Sequence, residues 1–297
     1  MVYDVTIFGI NIPVKPVAFT LPIFGGWNVY WYGIIIALGF LLALVYAFFN
    51  AKRFSLNLDR LLDVVLVAAP VAVLSARLYY IVFSDDMKIT EFFNFSSGGF
   101  AGLAIYGAVI GALVSGALMC WLRRVNILDA FDMAAIGFLI GQGIGRWGNF
   151  VNQEAFGSAT GSSWFGMTSE AVAAELGEGV LAHPCFLYES VWCLIGVYIL
   201  HKISKKRLFS GQIILSYCVW YGFGRGIIEL LRTDSLYLVG NIRVSSLLSF
   251  LICIGAAVAL FLIIRKQKAQ SSDTEYVSMF AENEASEEPI TEESIEE

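Results

Sequence analysis

Gly141-Gln142-Gly143-Ile144-Gly145-Arg146-Trp147-Gly148-Asn149-Phe150-Val151-Asn152-Gln153-Glu154 is the stretch on which the reading of the fold turns. It begins inside an apolar run of helix length and leaves it carrying an arginine, two asparagines, a glutamine and a glutamate. A charge beside hydrocarbon is costly, so Arg146 at the mouth of a spanning segment reads as a functional group with a partner. The alternative is an anchor whose stem lies along lipid while its head reaches the interface. Asn149 lies one turn further on the same helix face, with Asn152 and Glu154 just beyond, and this favours the functional reading.

Around that stretch the chain is overwhelmingly apolar. Of 297 residues, 58% are hydrophobic and only 15% charged, and the mean hydropathy is +0.71. That composition implies a polytopic membrane protein and excludes a water-soluble domain. A bilayer core needs about 20 mostly apolar residues per helix. Seven such runs are present, at 29–49, 62–83, 102–122, 129–149, 185–203, 211–231 and 245–264. The expected fold is all-α with seven transmembrane helices. The first 27 residues carry only Lys15 as a basic group, with no basic flank ahead of an apolar block. A cleavable signal peptide is therefore not expected, and the first spanning run directs insertion.

Orientation follows from the Lys/Arg bias of short loops. Lys52, Arg53 and Arg60 share one loop, Arg123 and Arg124 the next, and Lys205, Lys206 and Arg207 a third. The last run exits into Arg265, Lys266 and Lys268. The alternate segments hold Asp85, Asp86, Glu91, Glu154, Glu170, Glu175 and Glu178 against a single Lys88. The N-terminus is thus expected outside and the C-terminus in the cytoplasm. Three parts result: an extracytoplasmic or interfacial arm at 1–28, a seven-helix domain at 29–264 with an outer head segment at about 151–183, and a tail at 265–297. Beyond Ala269 the tail holds ten acids and no Lys or Arg, so the net charge of −6 belongs to it; elsewhere 19 basic groups face 15 acids. Such a segment cannot bury enough apolar surface to order itself and is expected to be disordered.

The arm mixes short β-like runs, Tyr3 to Ile10 and Val14 to Phe24, with three prolines. The first helix is expected to open with Trp27, Tyr30, Trp31 and Tyr32, the first two as an interfacial aromatic belt and Tyr32 deeper, before Gly33. Gly107 with Gly111, and Gly141 with Gly145, form small-xxx-small pairs that let helices approach closely. In the outer segment, Ser169 caps a short helix closed by Gly177. The five cysteines show no CxxC spacing and only Cys185, at the first residue of its run, approaches the outer face, which supports neither a disulfide framework nor a zinc site.

The sharpest pattern is Tyr221, Arg225, Glu229 and Arg232, whose spacings of 4, 4 and 3 place them on one helix face. At 1.5 Å per residue the stripe is about 16 Å deep. On the topology derived above, Arg77, Tyr106, Arg146, Asn149, His183, Tyr188, Arg225, Glu229 and Arg232 all fall in the outer half. The inner half is expected to hold almost nothing polar besides loop charges. Several guanidiniums at outer-headgroup depth call for an anion, and phospholipid phosphate is the one available there. Arginine suits it, because its planar fork binds phosphate bidentately and stays charged in apolar surroundings.

Here the sequence resembles the prolipoprotein diacylglyceryl transferase family. The likeness rests on Gly145 through Gly157, a near-complete match to the family signature. Trp31-Tyr32-Gly33, Gly102 to Gly107, His183-Pro184, Leu187-Tyr188-Glu189, and Tyr221 to Arg225 with Glu229 and Arg232-Thr233-Asp234 support it. It spans about 29 to 264 and leaves the tail and most of the arm uncovered. The resemblance implies a bacterial inner-membrane enzyme whose active site faces the outer leaflet. It implies transfer of the sn-1,2-diacylglyceryl group of phosphatidylglycerol to the lipobox cysteine in the signal peptide of a preprolipoprotein. A thioether forms and glycerol phosphate departs, in the first step of lipoprotein maturation. Membrane lipids are the surroundings; no cofactor, metal or nucleic acid is expected.

Carried over by position, Tyr106, Arg146 and Arg225 are the catalytic candidates. Tyr32, Gly107, Arg146, Asn149, Asn152, Glu154, Gly157, His183, Tyr188, Tyr221, Glu229 and Arg232 are the substrate-binding ones. Two departures stand out. Many members have histidine where this chain has Tyr106, and neutral tyrosine, with a pKa near 10, is a poor base at neutral pH. Either nearby arginines lower it, or it only orients lipid or thiol; His183 and Glu154 are the other candidate bases. Ala101 replaces the first of two glycines ahead of that motif. A different class of protein, a non-catalytic lipid or anion transporter using the same arginines, is the alternative. It would be expected to show inverted repeats and midplane polar groups, neither of which the sequence displays.

Overall fold

In the computed structural model the described residues are 2–22, 26–84, 89, 92, 102–233 and 243–270. The acidic tail beyond Gln270, most of the segment 85–101 including Ala101, and 234–242 including Asp234 lie outside them.

Among the described residues seven long helices predominate: α1 (Trp31–Asn50), α2 (Leu58–Phe83), α3 (Ile105–Leu122), α4 (Ile127–Val151), α6 (Cys185–Ser204), α7 (Gln212–Glu229) and α8 (Val244–Gln270). A short α5 (Glu170–Leu176) lies between α4 and α6. Six of the long helices are long and apolar enough to cross a bilayer, which makes the chain a polytopic helical membrane protein. The seventh, α7, carries the Arg225–Glu229 stripe and packs against α4, α6 and α8. Pro70 sits inside α2 without ending it, as bilayer helices allow when neighbours re-satisfy the freed carbonyl.

Helix ends follow the sequence. The Asn57 side chain accepts from the Arg60 amide at the start of α2, and Asn126 accepts from Leu128 and Asp129 at the start of α4. Ser169 accepts from the Val172 amide and Gly177 closes α5, as the sequence implies. Small residues then set which helices pair. A methyl group on Gly107 or Gly111 of α3 would collide with Ser75 of α2, and on Gly107 also with Tyr79. One on Gly39 of α1 would reach the Gly141 Cα of α4 at 3.3 Å. In lipid, close backbone approach of this kind takes over from hydrophobic burial as the packing force.

The arm and the outer segment fold as one head. Strand β1 (Tyr3–Ile7) pairs antiparallel with β2 (Ile10–Val14) on one side and with β5 (Met167–Thr168) on the other. Val5, Val14, Phe150, Phe156, Met167, Val172, Ala182 and Phe186 form its core, so the head is seated on the ends of α4 and α6. A second hairpin joins β3 (Val17–Leu21) to β4 (Trp27–Tyr30). This corrects the expectation for the first helix: Trp27 and Tyr30 belong to β4, and α1 begins at Trp31. The reason is pairing, since Trp27 lies opposite Leu21 and Asn28 opposite Thr20, and the Trp31 amide reaches the Pro16 carbonyl at 2.9 Å.

At the end of the bundle away from the head, the expectation of an almost apolar interior fails. Asp132 of α4 is fully buried and accepts from the Gly211 amide at 2.9 Å and the Ile214 amide at 2.8 Å. Arg207, itself buried, reaches Asp132 at 3.0 Å and Asp129 at 2.8 Å and lies over the Phe54 ring. One carboxylate thus satisfies two of the orphan amides at the start of α7 while facing the positive end of its dipole. The sequence concealed this because Arg207 reads as one more loop charge. Removing one partner of a buried pair costs about 3–5 kcal/mol. Asp132→Ala is therefore expected to lose about that much in reversible unfolding in detergent, whereas the exposed Arg123–Asp63 pair between α3 and α2 is worth less than about 1 kcal/mol.

Candidate active site

Three of the long helices bring their polar groups together just below the head. Glu189, one turn into α6, is 1% exposed. Its Oε1 accepts from an Nη of Arg146 on α4 and from the Tyr221 hydroxyl on α7, the latter at 3.0 Å. Its Oε2 accepts from Arg225 Nη1 at 2.9 Å. Arg225 Nη2 in turn meets Glu229 Oε2 at 2.6 Å, one turn further along α7. A carboxylate from α6 is thus held between guanidiniums from α4 and α7. Burial makes such a charge costly unless it is paired and hydrogen-bonded, and Glu189 is both. Each guanidinium side chain stays 18% exposed while the carboxylate is sealed at 2%, so the open side of the cluster is its cationic side.

The carboxylate is held at depth by aromatic groups behind it. Tyr217 stacks on Tyr221 with ring centres 5.5 Å apart, and Gln142 donates to the Tyr217 hydroxyl at 3.0 Å. The indole of Trp147 donates to Ser190 Oγ at 3.2 Å, and Ser190 donates to the Gly143 carbonyl at 2.7 Å. These bonds fix α4 against α6 beside the Arg146–Glu189 pair.

Above the arginines, the quoted stretch turns into an apron of amides. Arg146 Nη1 lies 3.5 Å from Asn149 Oδ1. Asn149 and Asn152 donate to the two oxygens of Glu154 at 3.3 and 3.0 Å. The turn that permits this has left-handed backbone at Gln153 and Ala155, with φ of 57° and 56°. Buried Gln153 braces it by accepting from the Ala171 amide at 3.3 Å. Tyr32 of α1 lies across Gly148, where an added methyl would stand 2.6 Å from its ring.

The remaining sequence candidates fall around this core. His183 Nδ1 and the Tyr188 hydroxyl pair at 3.2 Å at the entry to α6. Arg232 lies past the end of α7 and bridges to Gly157, whose amide donates to the His183 carbonyl at 2.8 Å. Gly157 is a packing residue here: a methyl would stand 2.7 Å from the Leu231 carbonyl and 2.8 Å from Cys185 Sγ. Tyr106 and Gly107 belong to a different neighbourhood, on the α2–α3 pair. Tyr106 is 54% exposed and its ring lies 6.4 Å from that of Tyr79, while Gly107 is pressed onto α2.

Sequence reasoning missed Glu189 as a site residue. Its position carried a signal: a carboxylate five residues into a spanning run demands a partner by the argument applied to Arg146. The pairing across three helices has no signature in spacing.

Comparison with known proteins identifies the family. The family model for prolipoprotein diacylglyceryl transferase matches residues 16–263. A phosphatidylglycerol–prolipoprotein diacylglyceryl transferase of Clostridium perfringens is 40% identical over 261 residues, covering 86% of this chain and 96% of its own. One from Pediococcus pentosaceus is 42% identical over 250 residues, covering 82% and 87%. One from Clostridioides difficile is 37% identical over 260 residues, covering 86% and 98%. With its signature stretch folded into a three-helix arginine–glutamate cluster, the chain belongs to the prolipoprotein diacylglyceryl transferase family.

Proposed function

We propose that this membrane enzyme moves the sn-1,2-diacylglyceryl group of phosphatidylglycerol onto the lipobox cysteine of a preprolipoprotein. The substrate's sulfur attacks the glycerol carbon that bears the phosphate. The carbon–oxygen bond breaks, a thioether forms and glycerol phosphate departs; the thiol proton passes to a base or to water. The observation that carries this reading is the convergence of Arg146 and Arg225, from separate helices, on one buried carboxylate while each arginine side chain stays 18% exposed. A guanidinium has five N–H donors. Glu189 takes one Nη from each arginine, so it orients both forks and leaves further donors for a phosphate. As the bond breaks, charge develops on the phosphate, and preorganised cations aimed there are usually the largest catalytic contribution.

In this reading seven helices span the bacterial inner membrane, with the N-terminus and head outside and the tail in the cytoplasm. The arm completes the head of the seven-helix catalytic domain. Asn149, Asn152 and Glu154 bind the lipid headgroup with Tyr32, and His183, Tyr188, Arg232 and Gly157 form the rim where the signal peptide meets the lipid. The nucleophile belongs to the substrate, so the enzyme needs no cysteine of its own. A positive field favours the thiolate, which is the reactive form. The two halves of the sequence are not visibly similar, which argues against a transporter built on inverted repeats.

The test is transfer in vitro: purified protein, phosphatidylglycerol vesicles and a lipobox peptide, with the cysteine's gain of a diacylglyceryl group read by mass. In the same assay Tyr106 acts by hydrogen bonding, so Tyr106→Phe is expected to slow transfer by about tenfold, the worth of one such bond. Tyr106→His retains transfer. A thousandfold loss in Tyr106→Phe would instead make its hydroxyl the base.

A further inference from the structure

One turn below Glu189, α6 and α7 are locked by a contact that repeats itself. Trp192 Nε1 donates to the Trp220 carbonyl at 3.0 Å, and Trp220 Nε1 donates to the Trp192 carbonyl at 3.0 Å. The two indoles stack with centres 4.2 Å apart and planes 9° from parallel. Each helix supplies the same short pattern, Trp192-x-x-x-Gly196 and Trp220-x-x-x-Gly224. The glycines are what let the rings in: a methyl on Gly224 would strike the Trp192 indole, and one on Gly196 would stand 2.6 Å from Trp220 Cδ1. Both carbonyls lie in helices, and a carbonyl oxygen has a second lone pair for the indole.

We propose that Trp192 and Trp220 are positioning residues for the transfer reaction. Two reciprocal bonds of this kind admit a single register of α6 against α7. Sliding either helix by one residue moves it about 1.5 Å, which neither bond survives. Glu189 stands three residues before Trp192, and Tyr221 and Arg225 stand one and five residues after Trp220. The register set by the indoles is therefore the register that holds Glu189 at 3.0 Å from Tyr221 and 2.9 Å from Arg225. Errors of about 1 Å in such a constellation are enough to cost a hundredfold in rate. This rests on the transferase reading for its effect on rate, while the register itself does not.

The experiment compares the unmodified chain with Trp192→Phe, Trp220→Phe and the double variant, which keep ring stacking and lose the bonds. Each single variant is expected to lower kcat about tenfold with KM for phosphatidylglycerol within twofold. The double variant is expected to fall little further, because either break releases the same register. Trp121→Phe, at a 69% exposed position, serves as the control with unchanged kcat. Single variants within twofold of the unmodified kcat, or a double variant whose loss is the product of the singles, would overturn the proposal. A second readout is free of catalysis: the distance between spin labels at Val191 and Ile227, both exposed, in a chain lacking Cys218 and Cys253, the two thiols not fully buried. A narrow distribution that broadens in the double variant supports the clasp, and an unchanged one refutes it. Absence of transfer by the unmodified chain would count against the functional reading alone.

Discussion

Alanine in place of Arg146 or of Arg225 is expected to abolish transfer, with kcat falling about 10²–10³-fold or more for either substitution. That is the range for loss of one preorganised group facing developing negative charge. The two effects are not expected to multiply, because both arginines grip the same carboxylate and residues sharing a partner are not independent. Lysine at either position restores the charge without the fork. Arg146→Lys and Arg225→Lys are thus expected to recover only part of the loss, chiefly in KM. The measurement is steady-state transfer by purified variants at equal folded concentration. Undiminished transfer in either alanine variant would remove that arginine from the catalytic role.

Glu189 is the second large effect, and it separates two roles. Glu189→Ala leaves two guanidiniums side by side with no carboxylate between them. Breaking a buried pair in this way costs about 3–5 kcal/mol, read as a lowered unfolding midpoint in detergent. Glu189→Gln keeps the shape and removes the charge. The arginines then keep their attraction for an anionic lipid and lose the group that aims them. The expected result is kcat down about a hundredfold with KM for phosphatidylglycerol unchanged or lower, the pattern of an interaction made for orientation. A raised KM with unchanged kcat would instead make Glu189 a direct contact of the lipid headgroup.

These effects show why parts of the molecule were legible in the sequence and others were not. Apolar runs are dictated by bilayer thickness, so the starts of the long helices, from the run at 29–49 to that at 245–264, could be placed within a few residues. Ser169 announced a helix start because an unpaired amide needs a side-chain oxygen nearby in sequence. Arg146, Arg225 and Glu229 stood out because charge in a spanning helix demands a reason. What could not be read was contact between elements far apart in sequence. The pairing of Tyr3–Ile7 with Met167–Thr168 joins the arm to the outer segment, and no local pattern encodes it. Asp132 looked like an ordinary acid near a helix start, yet it caps a helix that begins 80 residues later. Glu189 was hidden similarly, because its importance lies in partners 43 and 36 residues away. Tyr106 drew notice through its family position, and its neighbour Tyr79 on α2 was no more legible than the other contacts between helices.

The claim on which the rest depends is that Arg146 and Arg225 line one pocket at one depth, open to the outer leaflet. Single cysteines at 146 and at 225, treated from the outer side with a membrane-impermeant thiol reagent, test it most directly. Both positions should be modified from that side, and phosphatidylglycerol should slow modification at both. Modification of the two from opposite sides of the membrane would contradict it.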